Sequence, residues 1–165
     1  MNDVNEKAWA AAKFNNDFIY IETYSGFFNC LPDPEGKRFF LSSFSSDIEL
    51  GASLIEALAV SRTVDPKKSP DFFDIRGRVI KEYDEWVAQV MVKFNYQTKR
   101  ALFKDMKSCS VDAVDGLITL RPSHHEKLEA WSGKGITQKD YVIISSSSPR
   151  EEIGAALRLA FSRCT

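Results

Sequence analysis

Carboxylates are concentrated between residues 71 and 85. The members of this acidic stretch are Asp71, Asp74, Glu82, Asp84 and Glu85. Carboxylates on a protein surface attract a basic partner and accelerate its association. Glu82 and Glu85 are three residues apart and would share one face of a helix. We therefore weigh two interpretations: a binding surface for a basic protein, and an ordinary solvated face.

Four basic side chains follow, interleaved with apolar and aromatic residues. They are Lys99, Arg100, Lys104 and Lys107. The pattern predicts a strand over residues 100–109, in which these side chains could hold single-stranded nucleic acid through phosphate contacts and base stacking. The alternative is the outer face of a sheet, solvated by lysine, which also protects strand edges.

The two histidines, His124 and His125, are adjacent in the sequence. They fall within a short helix that is predicted to run from Ser123 to Trp131. Neighbouring helical residues point in different directions, and no further ligands stand at metal-site spacing. We predict no metal site and no cofactor.

The three cysteines, Cys30, Cys109 and Cys164, show neither metal-ligand spacing nor an even count. Together with the lack of a signal peptide, this predicts reduced thiols and a cytoplasmic protein. The sequence also has no nucleophile elbow, phosphate-binding loop, dinucleotide fingerprint or zinc-protease helix. We therefore predict no catalytic residues and no enzymatic activity.

Composition indicates an ordinary globular chain. With 165 residues, 44% hydrophobic and 27% charged, the chain is expected to form one domain over residues 1–165. The net charge of −1 does not indicate a nucleic-acid or membrane partner. No apolar run approaches the ~20 residues of a membrane-spanning helix.

One stretch occurs twice, over residues 49–58 and 152–161, with five of ten positions identical. Each copy follows an apolar run and a serine-rich loop, which predicts a strand, a loop and a helix in each half. Ser46 with Glu49 forms a predicted capping box, and Ser148 is the predicted cap of the second helix. Gly51 and Gly154 each cost a helix about 1 kcal/mol relative to alanine, which suggests close approach of the helix backbone to a sheet.

The remaining elements follow from periodicity and turn signals. We predict a helical or frayed segment over residues 2–13, strands over 17–24, 27–31 and 37–41, a break at 63–70, a helix over 78–93, a hairpin turning at Asp115-Gly116, and a doubly buried strand over 141–144. The resulting class is α+β, with antiparallel sheets and pseudo-duplicated halves over about 14–63 and 71–165 related by a pseudo-twofold axis.

The chain resembles the CdiI family, the immunity proteins of bacterial contact-dependent growth inhibition. The resemblance is carried by the order of its motifs: Gly51–Arg62, Thr98–Met106, Cys109, Ile118–Pro122, Leu128–Trp131 and Ile153–Leu157. It implies a protein that captures the C-terminal toxin domain of a CdiA effector, commonly a nuclease. Some such proteins resemble the Whirly type of single-stranded nucleic-acid binder in fold. The resemblance assigns no toxin-contacting residue.

The leading hypothesis is therefore an immunity protein that binds and neutralises a cognate toxin domain, with the acidic stretch as the contact surface. The alternative is a single-stranded nucleic-acid-binding module that uses the basic stretch.

Overall fold

The structure is a computed structural model that describes residues 7–165. Its strands are β1 (Ala8–Phe14), β2 (Phe18–Gly26), β3 (Cys30–Pro32), β4 (Arg38–Ser42), β5 (Lys107–Val114), β6 (Leu117–Arg121), β7 (His124–Lys127), β8 (Ala130–Ser132) and β9 (Val142–Ser145). Its α-helices are α1 (Asp47–Ala59), α2 (Ile80–Lys93), α3 (Lys99–Phe103) and α4 (Arg150–Ser162). A 3₁₀ turn and a π turn precede α2, over Pro70–Phe73 and Ile75–Val79.

Seven strands form one antiparallel sheet in the order β3-β2-β1-β5-β6-β9, and β4 also pairs with β2. The long strand β2 pairs with β4 over residues 18–22 and with β3 over residues 24–26. The pairing of β1 with β5 joins the strands of the first part of the chain to those of the second. A separate hairpin consists of β7 and β8.

The helices α1 and α4 cover one face of the sheet. Side chains alternate along each strand, so Ile19 and Ile21 of β2 point toward these helices together with residues of β5 and β6. Leu54 of α1 and Leu157 of α4 are fully buried in this core. Both helices therefore pack their leucine faces into this core.

The opposite face of the sheet is covered only in part, by α2 and α3. Phe18 and Tyr20 of β2 pack there against Trp86 of α2 and Phe103 of α3. These aromatic residues form a second core that is separated from the first by the sheet. None of the helices within residues 7–165 is long and apolar enough to cross a membrane.

The two repeated glycines lie at a contact between the helices. A Cβ atom on Gly51 would overlap the backbone carbonyl of Arg150, and one on Gly154 would overlap that of Asp47. The prediction of a close backbone approach is confirmed, but its partner was wrong: each glycine meets the other helix and not the sheet.

The two helices differ at their first turns. The Ser46 hydroxyl accepts from the Glu49 N–H, and the Glu49 carboxylate accepts from the Ser46 N–H, as predicted for a capping box. In α4, by contrast, Pro149 occupies the N-cap and no side chain caps the helix. The Pro149 carbonyl accepts the first helical bonds, so the predicted Ser148 cap is wrong.

Three predictions were wrong, the first two because tertiary pairing overrode local sequence preference. The Ala-rich segment 8–14 is a central strand and not a helix; residues 2–6 of that prediction lie outside the described residues. The segment 124–132 is a hairpin and not a helix. The strand β9 lies at the sheet edge, where Ile143 is 60% exposed, so it is not buried on both faces.

The predicted strand over residues 100–109 was also wrong. Thr98 accepts from the Ala101 N–H and caps the short helix α3, and a strand begins only at Lys107. Two predictions hold nearby: α2 covers most of residues 78–93, and Asp115 and Gly116 both have positive φ in the turn between β5 and β6. Strand β2 continues through Gly26, beyond the predicted end at residue 24, and of the predicted strand 27–31 only the last two residues are in β3.

The helix contact makes a testable prediction about stability. Replacing Gly51 or Gly154 by alanine should force the helix backbones apart, at a cost of about 1–3 kcal/mol each in the free energy of unfolding. Gly133→Ala is the matched control, because no atom lies within 4 Å of the added Cβ. Denaturant unfolding would measure all three; equal stability of the three variants would contradict the contact.

Candidate functional site

A cleft of about 360 Å³ lies on the partly covered face of the sheet. Its walls come from strands β1 to β4, the start of α2 and the β7–β8 hairpin. Most of its lining is aromatic or aliphatic, with a small number of charged side chains among them. This combination is typical of sites that bind another molecule, because apolar walls contribute burial and the polar groups set orientation.

Strand alternation places charged side chains in this cleft. Residues 18, 20, 22 and 24 of β2 point away from α1 and α4, which brings Tyr20 and Glu22 to the cleft. Lys13 of β1 lies on the same face, since it pairs across the strands with Tyr20. The strands that build the core thus also carry charge to the floor of the cleft.

Glu22 is held by two partners. Tyr20 donates a hydrogen bond from Oη to Glu22 Oε2 at 2.7 Å, and Arg38 Nε lies 3.6 Å from the same oxygen. Burial raises the pKa of Glu22, while Tyr20 and Arg38 oppose that rise. Burial and the neighbouring Glu22 both raise the pKa of Tyr20, so the phenol stays protonated and donates.

Lys13 has no comparable partner. Burial lowers the pKa of its ammonium group, and nearby Glu22 acts in the opposite direction. The ammonium lies 4.6 Å from the centroid of the Trp131 ring, a cation–π arrangement. Within the described part of the chain it makes no salt bridge, so its hydrogen-bond donors remain available to an incoming acceptor.

The two tryptophans of the cleft differ in the state of their indole N–H groups. Trp131 donates from Nε1 to the Met106 carbonyl at 3.0 Å. Trp86 is only 6% exposed, and its Nε1–H has no acceptor among residues 7–165. An unpaired buried donor is unfavourable in the free protein, and a partner that supplies an acceptor removes that cost.

Further side chains close the rim of the cleft. Tyr83 donates from Oη to Glu129 Oε1 at 2.9 Å, and Lys99 Nζ lies 3.7 Å from the same oxygen. Arg78 Nη1 pairs with Glu82 Oε2 at 2.8 Å. The two contacts of Glu129 connect α2 and α3 to the β7–β8 hairpin, and the Arg78–Glu82 pair lies within the π turn and α2.

The structure does not gather the acidic stretch at one place. Glu82 lines the cleft, whereas Asp84 and Glu85 are exposed on α2. Asp71 is exposed on the preceding 3₁₀ turn, and the Asp74 carboxylate accepts from the Gly77 N–H at 2.9 Å, which caps the π turn. Since Glu82 and Asp84 are two positions apart on a helix, they do not face each other.

The basic stretch is divided between helix and strand. Lys99 and Arg100 lie in α3, Lys104 follows that helix, and Lys107 begins β5. Of the two aromatic residues interleaved with the basic stretch, Phe103 is fully buried in the second core, whereas Tyr96 is partly buried. The single basic strand on which the nucleic-acid alternative was based is therefore not formed, because residues 99–103 are helical and the strand begins at Lys107.

The histidines have structural contacts. His125 stacks on Trp131 with ring centroids 4.8 Å apart, and His124 Nδ1 lies 2.9 Å from Thr165 Oγ1. Across residues 7–165, no group of three or more His, Cys, Asp or Glu side chains could hold a metal ion.

Lys13, Glu22 and Trp86 were not among the candidates that the sequence suggested. A signal for Glu22 was present, since it is a carboxylate within an otherwise apolar strand segment. Lys13 was hidden because β1 was expected to be helical. The unpaired N–H of Trp86 depends on its three-dimensional surroundings, and no sequence pattern reports it.

Comparison with known proteins identifies relatives that cover the whole chain. The family model described as CDI immunity protein matches residues 8–164. The chain is 46% identical over 175 residues to the immunity protein CdiI-YPIII of Yersinia pseudotuberculosis serotype O:3 (strain YPIII), and the match covers 99% of each sequence.

Two solved structures share the fold over nearly the whole length. A chain of the CdiA-CT/CdiI toxin and immunity complex from Yersinia pseudotuberculosis matches with a TM-score of 0.88 and 43% identity, covering 96% of this chain and 98% of that one. A protein of unknown function, NMB0488 from Neisseria meningitidis, matches with a TM-score of 0.88 and 37% identity, covering 100% and 99%.

The two tryptophans of the cleft permit a paired test in the free protein. Trp86→Phe and Trp131→Phe remove the same atoms, but only the second leaves a buried carbonyl, that of Met106, without its donor. We expect Trp131→Phe to be less stable than Trp86→Phe by about 1–3 kcal/mol. Urea unfolding would measure this difference. Equal stability of the two variants would contradict the expected difference.

Proposed function

The chain belongs to the CdiI family of CDI immunity proteins, and we propose that it binds and neutralises the C-terminal toxin domain of a CdiA effector. It is an immunity protein and not an enzyme. The observation that carries the proposal is the whole-length match to one chain of a toxin and immunity complex. We also propose that the toxin is a nuclease, as is common among the partners of this family, and that the complex forms in the cytoplasm.

We propose the cleft as the main contact surface. It combines aromatic walls with the Lys13 ammonium, which makes no salt bridge within the described residues, and with the Trp86 N–H, which has no acceptor there. Buried tryptophan and tyrosine side chains dominate many protein interfaces, because they bury a large area with little loss of conformational freedom. A toxin segment that carries a carboxylate or a free backbone carbonyl would pair with the Lys13 ammonium, and the Trp86 N–H, which is buried in the free protein, would meet an acceptor only if the Trp86 side chain shifts on binding.

The acidic stretch acts as an outer surface in this proposal. A nuclease needs cationic groups to hold its phosphate-bearing substrate, and exposed carboxylates attract such groups over a distance. Asp71, Asp84 and Glu85 are exposed and suited to this steering, and Asp74 and Glu82 lie beside them while also making internal contacts. The acidic residues are thus proposed to set the association rate, and the cleft the lifetime of the complex.

A further proposal concerns the symmetry of the fold. We propose a pseudo-twofold relation between residues 14–63 and 71–165, of the kind found in the Whirly type. The reciprocal contact supports it, because each glycine meets a residue four positions before its counterpart. The strand order supports it as well, with β2 and β1 on one side of the sheet centre and β5 and β6 on the other.

Co-expression with a toxin tests the central proposal. A large effector encoded beside this chain would supply the C-terminal domain, which should arrest growth when it is produced alone. Cells that also produce this chain should grow, and the two proteins should co-purify as a complex. Continued growth arrest together with no complex would overturn the proposal.

Substitutions in the cleft should shorten the lifetime of the complex. We expect Lys13→Met and Trp86→Phe each to weaken toxin binding at least tenfold, mainly through faster dissociation. Lys68→Met is the control for loss of one positive charge, because Lys68 is exposed in the loop before α2. Surface plasmon resonance would measure both rates. If both cleft variants dissociate no faster than the control, the toxin binds elsewhere.

Charge reversal on α2 should slow association of the complex. The double variant Asp84→Lys with Glu85→Lys keeps the buried face of α2 intact, so its melting temperature should stay near that of the wild type. We expect slower association, by roughly tenfold at low salt, with the difference shrinking as salt is added. An unchanged association rate at low salt would show that these carboxylates are only a solvated face.

A further inference from the structure

Two thiols that have no part in the proposed toxin contact lie beside each other on the helix-covered side of the sheet. Cys109 Sγ and Cys164 Sγ are 3.7 Å apart, although the residues are 55 positions apart in the sequence. We propose that this pair is a site of reversible oxidation, at which a disulfide-containing oxidant such as glutathione disulfide joins Cys109 to Cys164. This inference does not depend on the proposed function.

The two sulfur atoms lie close to bonding distance. A disulfide requires the sulfur atoms to approach to about 2.05 Å, so they must close by roughly 1.7 Å. Cys109 is 1% exposed on the interior strand β5 and is held in place by pairing on both sides. Cys164 lies beyond Ser162, the last residue of α4, so its side chain can move inward without distorting the helix.

The environment of the two thiols differs in a way that assigns their roles. Cys164 is partly exposed, whereas Cys109 is buried. The hydrogen bond between the two sulfur atoms lowers the pKa of the Cys164 thiol to about 7, against the opposing effect of burial. The same hydrogen bond and burial raise the pKa of Cys109. Cys164 is therefore the thiolate that meets the oxidant, and Cys109 is the thiol that completes the bond.

The reaction proceeds in two exchanges. The Cys164 thiolate attacks one sulfur of glutathione disulfide, whose S–S bond breaks, and the first glutathione leaves as a thiolate. The Cys109 thiol then loses its proton and attacks the Cys164 sulfur, and the second glutathione leaves. The two protein thiols lose two electrons in total, and the oxidant is reduced to two glutathione thiols.

The bond would fasten the end of the chain to the sheet. It closes a loop of 55 residues between β5 and the segment after α4, which restricts the unfolded chain. Both cysteines belong to the core beneath α1 and α4, on the face opposite the cleft. Oxidation should therefore raise stability and leave the cleft unchanged.

The experiment treats the purified full-length chain with glutathione disulfide and counts its free thiols. We expect the count to fall from three to one, and peptide mapping under non-reducing conditions to link Cys109 with Cys164. The melting temperature should rise by roughly 5–10 °C and return to its starting value when a reductant is added. Three free thiols after prolonged treatment, or a link that involves Cys30, would overturn the proposal.

Single variants separate the two exchanges. Cys30→Ser should form the bond as the wild type does, since Cys30 lies in β3 away from the pair. Cys109→Ala should stop at a glutathione adduct on Cys164, while Cys164→Ala should react at least tenfold more slowly at residue 109 because that thiol is buried. If the Cys109→Ala variant carries no adduct on Cys164, then Cys164 is not the attacking thiol and the inference is wrong.

Discussion

The contact between the backbones of α1 and α4 is the constraint on which the rest of the arrangement depends. Gly51 and Gly154 have no side chain beyond a hydrogen atom, and each helix uses that space to approach a carbonyl of the other. Since the helices touch at the backbone, both fit side by side over one face of the sheet. Their leucine and isoleucine side chains then fill the space between helices and strands as a continuous core.

Because α1 and α4 both lie on one face, the opposite face of the sheet stays partly uncovered. The helices α2 and α3 bury only part of it, and the uncovered part carries Lys13 and Glu22 on strands whose other side belongs to the main core. Charged side chains on a sheet floor and an unpaired indole N–H do not favour stability of the free protein. Proteins accept such local costs at binding sites, where a partner supplies the missing interactions.

Local signals were enough for elements whose residues make their contacts nearby in the sequence. The capping box at Ser46, the apolar period of α2 and the Asp115-Gly116 turn all predicted their elements correctly. Local signals failed where a distant pairing decides the structure. The Ala-rich segment 8–14 becomes a strand because β2 and β5 pair with it on both sides.

The candidate site was harder to predict than the fold for a related reason. A count of carboxylates selected residues 71–85, but a count cannot distinguish Asp74, which caps a turn, from Asp84, which is free on the surface. Nor can it identify a donor such as the Trp86 N–H, whose importance lies in the lack of an acceptor within the described residues.

Unpaired donors in a cleft also bear on how an immunity protein distinguishes its own toxin from others. An apolar pocket separates partners of similar shape only weakly, because one added or missing methylene changes the binding free energy by about 1–3 kcal/mol. A buried donor that one partner satisfies and another does not discriminates more strongly, since the wrong partner leaves the group desolvated and unpaired. In the proposed complex, this penalty would apply at Lys13 and Trp86. Discrimination would then rest on a few groups in the cleft, while the sheet and the α1–α4 contact that position them serve any member of the family with this fold.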